Sequence, residues 1–174
     1  MINIYDNVVE DHIAQLIDVE MRNIQWKFDY PSNTRHPSRH WHILCTENSA
    51  LDKKYTIENK FDWVMPIWTS AMLKYDFRNT YNVDTFKRIY MNAHTHGIEP
   101  VMHKDDGDFT MIYYPRMDWK PKWGGGTLID GQLVPYVGNR LVIFDAYLEH
   151  MAMPVPRECY ELRSVIVFKC NRNV

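Results

Sequence analysis

Apolar residues are spaced differently in the two parts of this chain. Between residues 8 and 21 they recur every four positions, which predicts an amphipathic helix with Asp6 as its N-cap. The same kind of spacing between residues 62 and 76 predicts a second helix. Residues 31–40, which are rich in proline, serine, asparagine and arginine, are predicted to form a loop between them.

Short strands are predicted for most of the remaining chain. Alternating or β-branched segments bounded by turn residues lie at 25–30, 86–92, Phe109–Tyr114, Thr127–Ile129, 134–137, 141–144 and 163–169. Helices followed by many short strands are typical of a jelly roll with a helical buttress. We therefore expect a mostly β protein with one domain, residues 1–174, in which residues 1–82 support a core formed by residues 83–174.

Composition narrows the function classes. The net charge of −2 on 174 residues gives no general attraction to nucleic acid. No apolar stretch reaches the roughly 20 residues of a membrane span, and the N-terminus has no secretion signal. The three cysteines form no CxxC pair, which fits a reducing compartment. We expect a cytoplasmic protein, in the host cytoplasm if a virus encodes it, and no pattern indicates an oligomeric state.

The candidate chemistry is concentrated at His103-Lys104-Asp105 and at His150. Side chains two positions apart on a strand point to the same face, so His103 and Asp105 are predicted to hold one metal ion. His150 would add a third ligand from a neighbouring strand. Two histidines and one carboxylate form the ligand set of non-haem Fe(II) oxygenases. Arg163 begins the last predicted strand, where a buried guanidinium would hold a carboxylate through two hydrogen bonds.

An ordered set of motifs between Arg88 and Phe168 resembles a known family. The motifs are Arg88-Ile89-Tyr90-Met91-Asn92, His103-Lys104-Asp105, Thr110-Met111-Ile112-Tyr113-Tyr114, Trp123-Gly124-Gly125-Gly126-Thr127, Gly138-Asn139-Arg140-Leu141-Val142-Ile143-Phe144-Asp145, His150 and Arg163-Ser164. Together they resemble the Fe(II)/2-oxoglutarate dioxygenases of the prolyl 4-hydroxylase type, particularly the small versions found in marine bacteriophages. The resemblance implies a double-stranded β-helix, or jelly roll, with N-terminal helices packed against it.

The resemblance also implies a role for individual residues. The Fe(II) ligands, which are the catalytic residues, would be His103, Asp105 and His150. The residues around 2-oxoglutarate would be Arg163, Tyr114, Tyr90 and Asn92, with the first two on its distal carboxylate. Such an enzyme uses O2 to couple decarboxylation of 2-oxoglutarate to succinate with hydroxylation of a C–H bond. The substrate would be a peptide, by family default a prolyl one, or a small molecule, with ascorbate as an optional cofactor.

Other interpretations stay open at this stage. Arg157 is an alternative anchor for 2-oxoglutarate. His94-Thr95-His96, followed by Glu99, resembles the first motif of the cupins, which would make the chain an isomerase or a dioxygenase that needs no keto acid. A third interpretation is a non-enzymatic jelly-roll binding module. The roles of His40 and His42, which alternate on a short segment, are not assigned by any of these patterns.

Overall fold

The computed structural model describes residues 1–31, 36–48 and 55–173, and the middle of the predicted loop 31–40 lies outside that range. The helices are α1 (Asp11–Asn23), α2 (Met65–Lys74) and α3 (Phe77–Tyr81), with 3-10 helices at Asn59–Val64 and Pro121–Trp123. The strands are β1 (Ile2–Asp6), β2 (Lys27–Tyr30), β3 (His40–Leu44), β4 (Thr46–Asn48), β5 (Tyr55–Ile57), β6 (Phe86–His94), β7 (Phe109–Tyr114), β8 (Thr127–Ile129), β9 (Gln132–Val134), β10 (Arg140–Asp145), β11 (His150–Ala152) and β12 (Arg163–Cys170).

Two antiparallel sheets form the body of the fold. The large sheet has the order β1-β10-β7-β12-β6-β3-β2, and the small sheet has the order β11-β8-β9. Apolar residues of α1 and α2 pack on one face of the large sheet. Its other face packs against the small sheet in a second apolar cluster. The predicted fold class, a mostly β jelly roll with helices packed against it, is confirmed.

The alternation of side chains along β12 determines what faces the space between the sheets. Ile166 and Phe168 belong to the apolar cluster on the helical side, whereas Val165 and Val167 belong to the cluster shared with the small sheet. Residues two apart on a strand share a face. Arg163 and all other odd-numbered residues of β12 therefore project between the sheets, among apolar side chains.

Several element boundaries differ from the sequence predictions. Asp6 ends β1 and pairs with Arg140, so it does not cap α1, which follows Glu10. The strand predicted at 134–137 is wrong beyond its first residue: β9 ends at Val134 because Pro135 cannot donate a ladder hydrogen bond. Residues before 83 also contribute β1, β2 and β3 to the large sheet. None of the described helices is long and apolar enough to cross a membrane.

Candidate functional site

His103, Asp105 and His150 come together between the two sheets. One potential ligand atom from each lies within 4.8 Å of the others. His150 is the first residue of β11, and its backbone exchanges hydrogen bonds of 3.0 and 2.9 Å with His103. His103 lies between β6 and β7 and is part of an isolated bridge, not of a regular strand. The Asp105 N–H donates to the Ala146 carbonyl at 2.9 Å and holds the carboxylate in place.

Backbone carbonyls fix the orientation of both imidazole rings. Nδ1 of His103 lies 2.8 Å from the Val101 carbonyl, and Nδ1 of His150 lies 3.0 Å from the Leu148 carbonyl. Because a carbonyl only accepts, each Nδ1 carries the proton, and each Nε2 presents a lone pair. Burial lowers the pKa of His150, and burial with the nearby His150 lowers the pKa of His103 to about 4. Neutral imidazole is the form that binds metal.

The donor atoms converge as metal ligands do. Nε2 of His150 lies 3.1 Å from Oδ2 of Asp105, and Nε2 of His103 lies 3.8 Å from Oδ1. Two lone pairs and a carboxylate repel one another unless a cation lies between them. The set of two imidazoles and one carboxylate is the one that suits Fe(II) with open coordination positions. The residues present therefore fit a divalent metal ion.

Arg163 is a buried cation at the end of the same cavity. The cavity, of about 60 Å³, is also lined by His103, Asp105 and His150. Arg163 is 2% exposed, and its Nε and Nη2 donate to the carbonyls of Gly125 (2.7 Å) and Gly126 (3.3 Å). Within the described residues it forms no ion pair. A buried charge without a counter-ion is costly, so an anion in this cavity would stabilise the site.

The glycine run of the motif brings these carbonyls to Arg163. A Cβ on Gly126 would lie 2.4 Å from the Val134 carbonyl oxygen, and Gly125 has a left-handed backbone (φ 68°). Larger residues would push the loop away from Arg163. The sequence motif therefore has a local physical cause, which is the close approach of Gly126 to the backbone of Val134 and of Gly125 to the side chain of Arg163.

Of the other residues predicted to bind 2-oxoglutarate, Tyr90 and Asn92 line the cavity and Tyr114 lies behind its wall. Tyr90 and Asn92 of β6 line the cavity, and Asn92 Oδ1 is 2.7 Å from Nδ1 of His42. The fully buried Tyr114 donates its hydroxyl to Oγ1 of Thr127 at 2.7 Å. Thr127 lines the cavity and accepts from Arg163 at 3.2 Å. Tyr114 therefore supports the cavity wall through Thr127, a residue that sequence reasoning missed.

The competing residues are placed elsewhere. His94 lines the cavity but lies outside the metal-competent group, and His96 is exposed on a turn. The cupin-like interpretation therefore lacks a metal site of its own within the described residues. Arg157 is exposed on a turn and does not line the cavity, so Arg163 is the better-placed anchor.

His40 contributes an unused polar group to the cavity wall. It is 3% exposed, and its Nε2 has no hydrogen-bond partner in the described part of the chain. Burial and the nearby His42 lower its pKa to about 4. A buried polar atom without a partner destabilises the fold by about 1–3 kcal/mol. This unpaired nitrogen fits a cavity that accepts a polar ligand.

A wider recess adjoins the small cavity and shares His40, Asn92 and His103 with it. Its volume is about 490 Å³. One wall is the Tyr30 ring stacked on His42, with centroids 3.8 Å apart. His103 and Asp105 therefore line both the recess and the small cavity that contains Arg163.

Comparison with known proteins gives a clear result for structure alone. No protein-family model and no curated protein sequence matches this chain. A prolyl-4-hydroxylase from Pseudomonas putida matches with a TM-score of 0.68 and 14% identity, over 99% of this chain and 93% of that one. A 2OG-Fe(II) oxygenase family protein from Burkholderia pseudomallei gives a TM-score of 0.72 at 12% identity, covering 99% and 85%.

HygX from Streptomyces hygroscopicus, a structure with nickel and 2-oxoglutarate bound, matches with a TM-score of 0.63 at 8% identity, over 99% and 83% of the two chains. The chain has the fold of these proteins. At these identities the likeness establishes the fold.

Proposed function

We propose that residues 1–174 form a single Fe(II)- and 2-oxoglutarate-dependent hydroxylase domain. The observation that carries the proposal is one cavity with two matched ends. One end holds a cluster of two imidazoles and a carboxylate, and the other holds a buried guanidinium without a protein counter-ion in the described residues. A dianionic keto acid that spans the cavity would satisfy both ends.

Each residue has a role that follows from its contacts. His103, Asp105 and His150 would hold the metal, with the Nδ1 hydrogen bonds to Val101 and Leu148 fixing both rings. Bound Fe(II) and 2-oxoglutarate supply O2 activation, in which R–H, O2 and 2-oxoglutarate give R–OH, succinate and CO2.

The co-substrate end would be formed by Arg163 with Thr127 on the distal carboxylate. Tyr90 and Asn92 would form the side wall, and Tyr114 would support Thr127 from below. The recess bounded by Tyr30 and His42 would admit the substrate, a peptide or a small molecule. Prolyl peptides are the first substrates to test, because prolyl hydroxylases are among the structures of the same fold.

Succinate formation tests this proposal. Purified protein supplied with Fe(II), 2-oxoglutarate and O2 should form succinate slowly alone and faster with a substrate. His150→Ala should abolish the formation of succinate, and His96→Ala, an exposed histidine, should not. Absence of both succinate formation and 2-oxoglutarate binding in the wild type would contradict the proposal and favour a non-enzymatic binding module.

A further inference from the structure

Lys169 is a buried lysine beside the candidate metal centre. Lys169 lies near the end of β12 and pairs with Thr110 of the neighbouring strand β7. Both residues are 0% exposed. Directly paired residues on neighbouring strands have adjacent side chains. The Lys169 side-chain nitrogen donates to Thr110 Oγ1 at 3.0 Å and contacts Asp105 Oδ2. A lysine is rarely buried completely without such partners.

The two oxygens of Asp105 are in different environments. Oδ2 accepts the Thr110 hydroxyl proton at 2.7 Å, contacts the Lys169 side-chain nitrogen and lies 3.1 Å from Nε2 of His150. Oδ1 accepts no hydrogen bond in the described residues and lies on the side of His103. Thr110, Lys169 and Asp105 therefore form a closed triangle of two hydrogen bonds and one ion-pair contact, which engages Oδ2 and leaves Oδ1 without a hydrogen bond in the described residues.

We propose that Thr110 and Lys169 are positioning residues that hold Asp105 Oδ2, so that Oδ1 is presented to the metal as a single-oxygen ligand. The inference rests on the proposed metal site and adds two residues to it. Partners of this kind orient metal ligands and typically change metal affinity by about 10- to 100-fold when they are removed.

Mn(II) binding, followed by loss of the electron paramagnetic resonance signal of the free ion, tests the inference without turnover. Mn(II) accepts nitrogen and oxygen ligands as Fe(II) does. Thr110→Val, which keeps the shape and removes the hydroxyl, should raise the Kd about 10- to 100-fold. Thr110→Ser should restore it to within about threefold. Lys169→Met should also raise the Kd, and adding it to Thr110→Val should have little further effect.

Matched controls separate positioning from general stability. Thr46 is another buried threonine, whose Oγ1 accepts from the Ile89 N–H. Thr46→Val should lower the melting temperature to a similar degree as Thr110→Val and leave Mn(II) binding unchanged. Cys170 is the buried neighbour of Lys169 in sequence, and its side chain faces the helices. Cys170→Ala should likewise lower the melting temperature and leave Mn(II) binding unchanged.

The outcomes distinguish this inference from the proposed function. Wild-type Mn(II) affinity in Thr110→Val would overturn the role of the triangle. Tighter Mn(II) binding in Lys169→Met would show that the amine opposes the metal and does not position Asp105. If the wild-type protein bound no Mn(II), the proposed metal site and this inference would both fall.

Discussion

Replacing Arg163 by methionine should weaken 2-oxoglutarate binding by about 10- to 100-fold and leave metal binding intact. The contacts to Gly125, Gly126 and Thr127 hold the guanidinium through Nε and Nη2. Nη1 has no hydrogen bond to the described residues and is free to meet a carboxylate. A charge-assisted hydrogen bond at a buried site contributes about 1.5–3 kcal/mol. At about 1.4 kcal/mol per tenfold change in Kd, that range gives the stated loss.

Calorimetric titration of 2-oxoglutarate into Mn(II)-loaded protein measures this effect directly. Arg157→Met is the matched control, because Arg157 is exposed on a turn, and its Kd should equal that of the wild type. Mn(II) affinity of Arg163→Met, measured separately, should stay unchanged and so show that the site is still folded. An unchanged 2-oxoglutarate Kd in Arg163→Met would refute the assignment of the anion site, and a loss confined to Arg157→Met would move that site to the turn.

Three further predictions concern other histidines and a buried turn. Burial and the nearby His42 hold the pKa of His40 near 4, below the ordinary histidine value of about 6.5. The unfolded chain therefore binds the proton first, and stability is lost as the pH falls from about 6.5 to 4. Between pH 7 and 5, urea unfolding should show a loss of stability about 2 kcal/mol smaller in His40→Asn than in the wild type, and the exposed His12→Asn should match the wild type. Asn139 (φ 59°) makes side-chain hydrogen bonds to Val9 N, Val9 O and the Tyr113 hydroxyl; Asn139→Ala should cost about 3 kcal/mol in urea unfolding, and Asn139→Gly about 1 kcal/mol less. His94→Ala should keep Mn(II) affinity within threefold, and loss of the metal would instead support the cupin-like interpretation.

The candidate metal cluster could be predicted because its signal is local. His103 and Asp105 are two residues apart, and His150 follows a recognisable strand, so spacing and residue type were sufficient. The buried partners were harder to find, since their roles depend on strand register. Lys169 lies on the same face of β12 as Arg163, because they are an even number of positions apart. A charged residue in this largely apolar strand could have indicated a buried polar contact. The contact of Lys169 with Asp105, however, depends on the pairing of β12 with β7.

The N-terminal part was predicted less well for a related reason. The alternation in β1 is weak, and the strand is recognisable only by its pairing with β10, which is distant in sequence. Asp6 has the residue type of a helix cap, but its ion pair with Arg140 determines its position. Local propensity was overridden in both cases by contacts between distant parts of the chain.

The most direct test of the proposed metal centre is an anaerobic titration of metal-free protein with Fe(II) and then 2-oxoglutarate, monitored by visible absorption. Chelation of the keto acid by Fe(II) gives a weak charge-transfer band. We expect the band in the wild type and in His96→Ala and no band in His150→Ala. Fe(II) binding in the wild type without this band, or a band that persists in His150→Ala, would contradict the assignment of His103, Asp105 and His150 as the metal centre for 2-oxoglutarate.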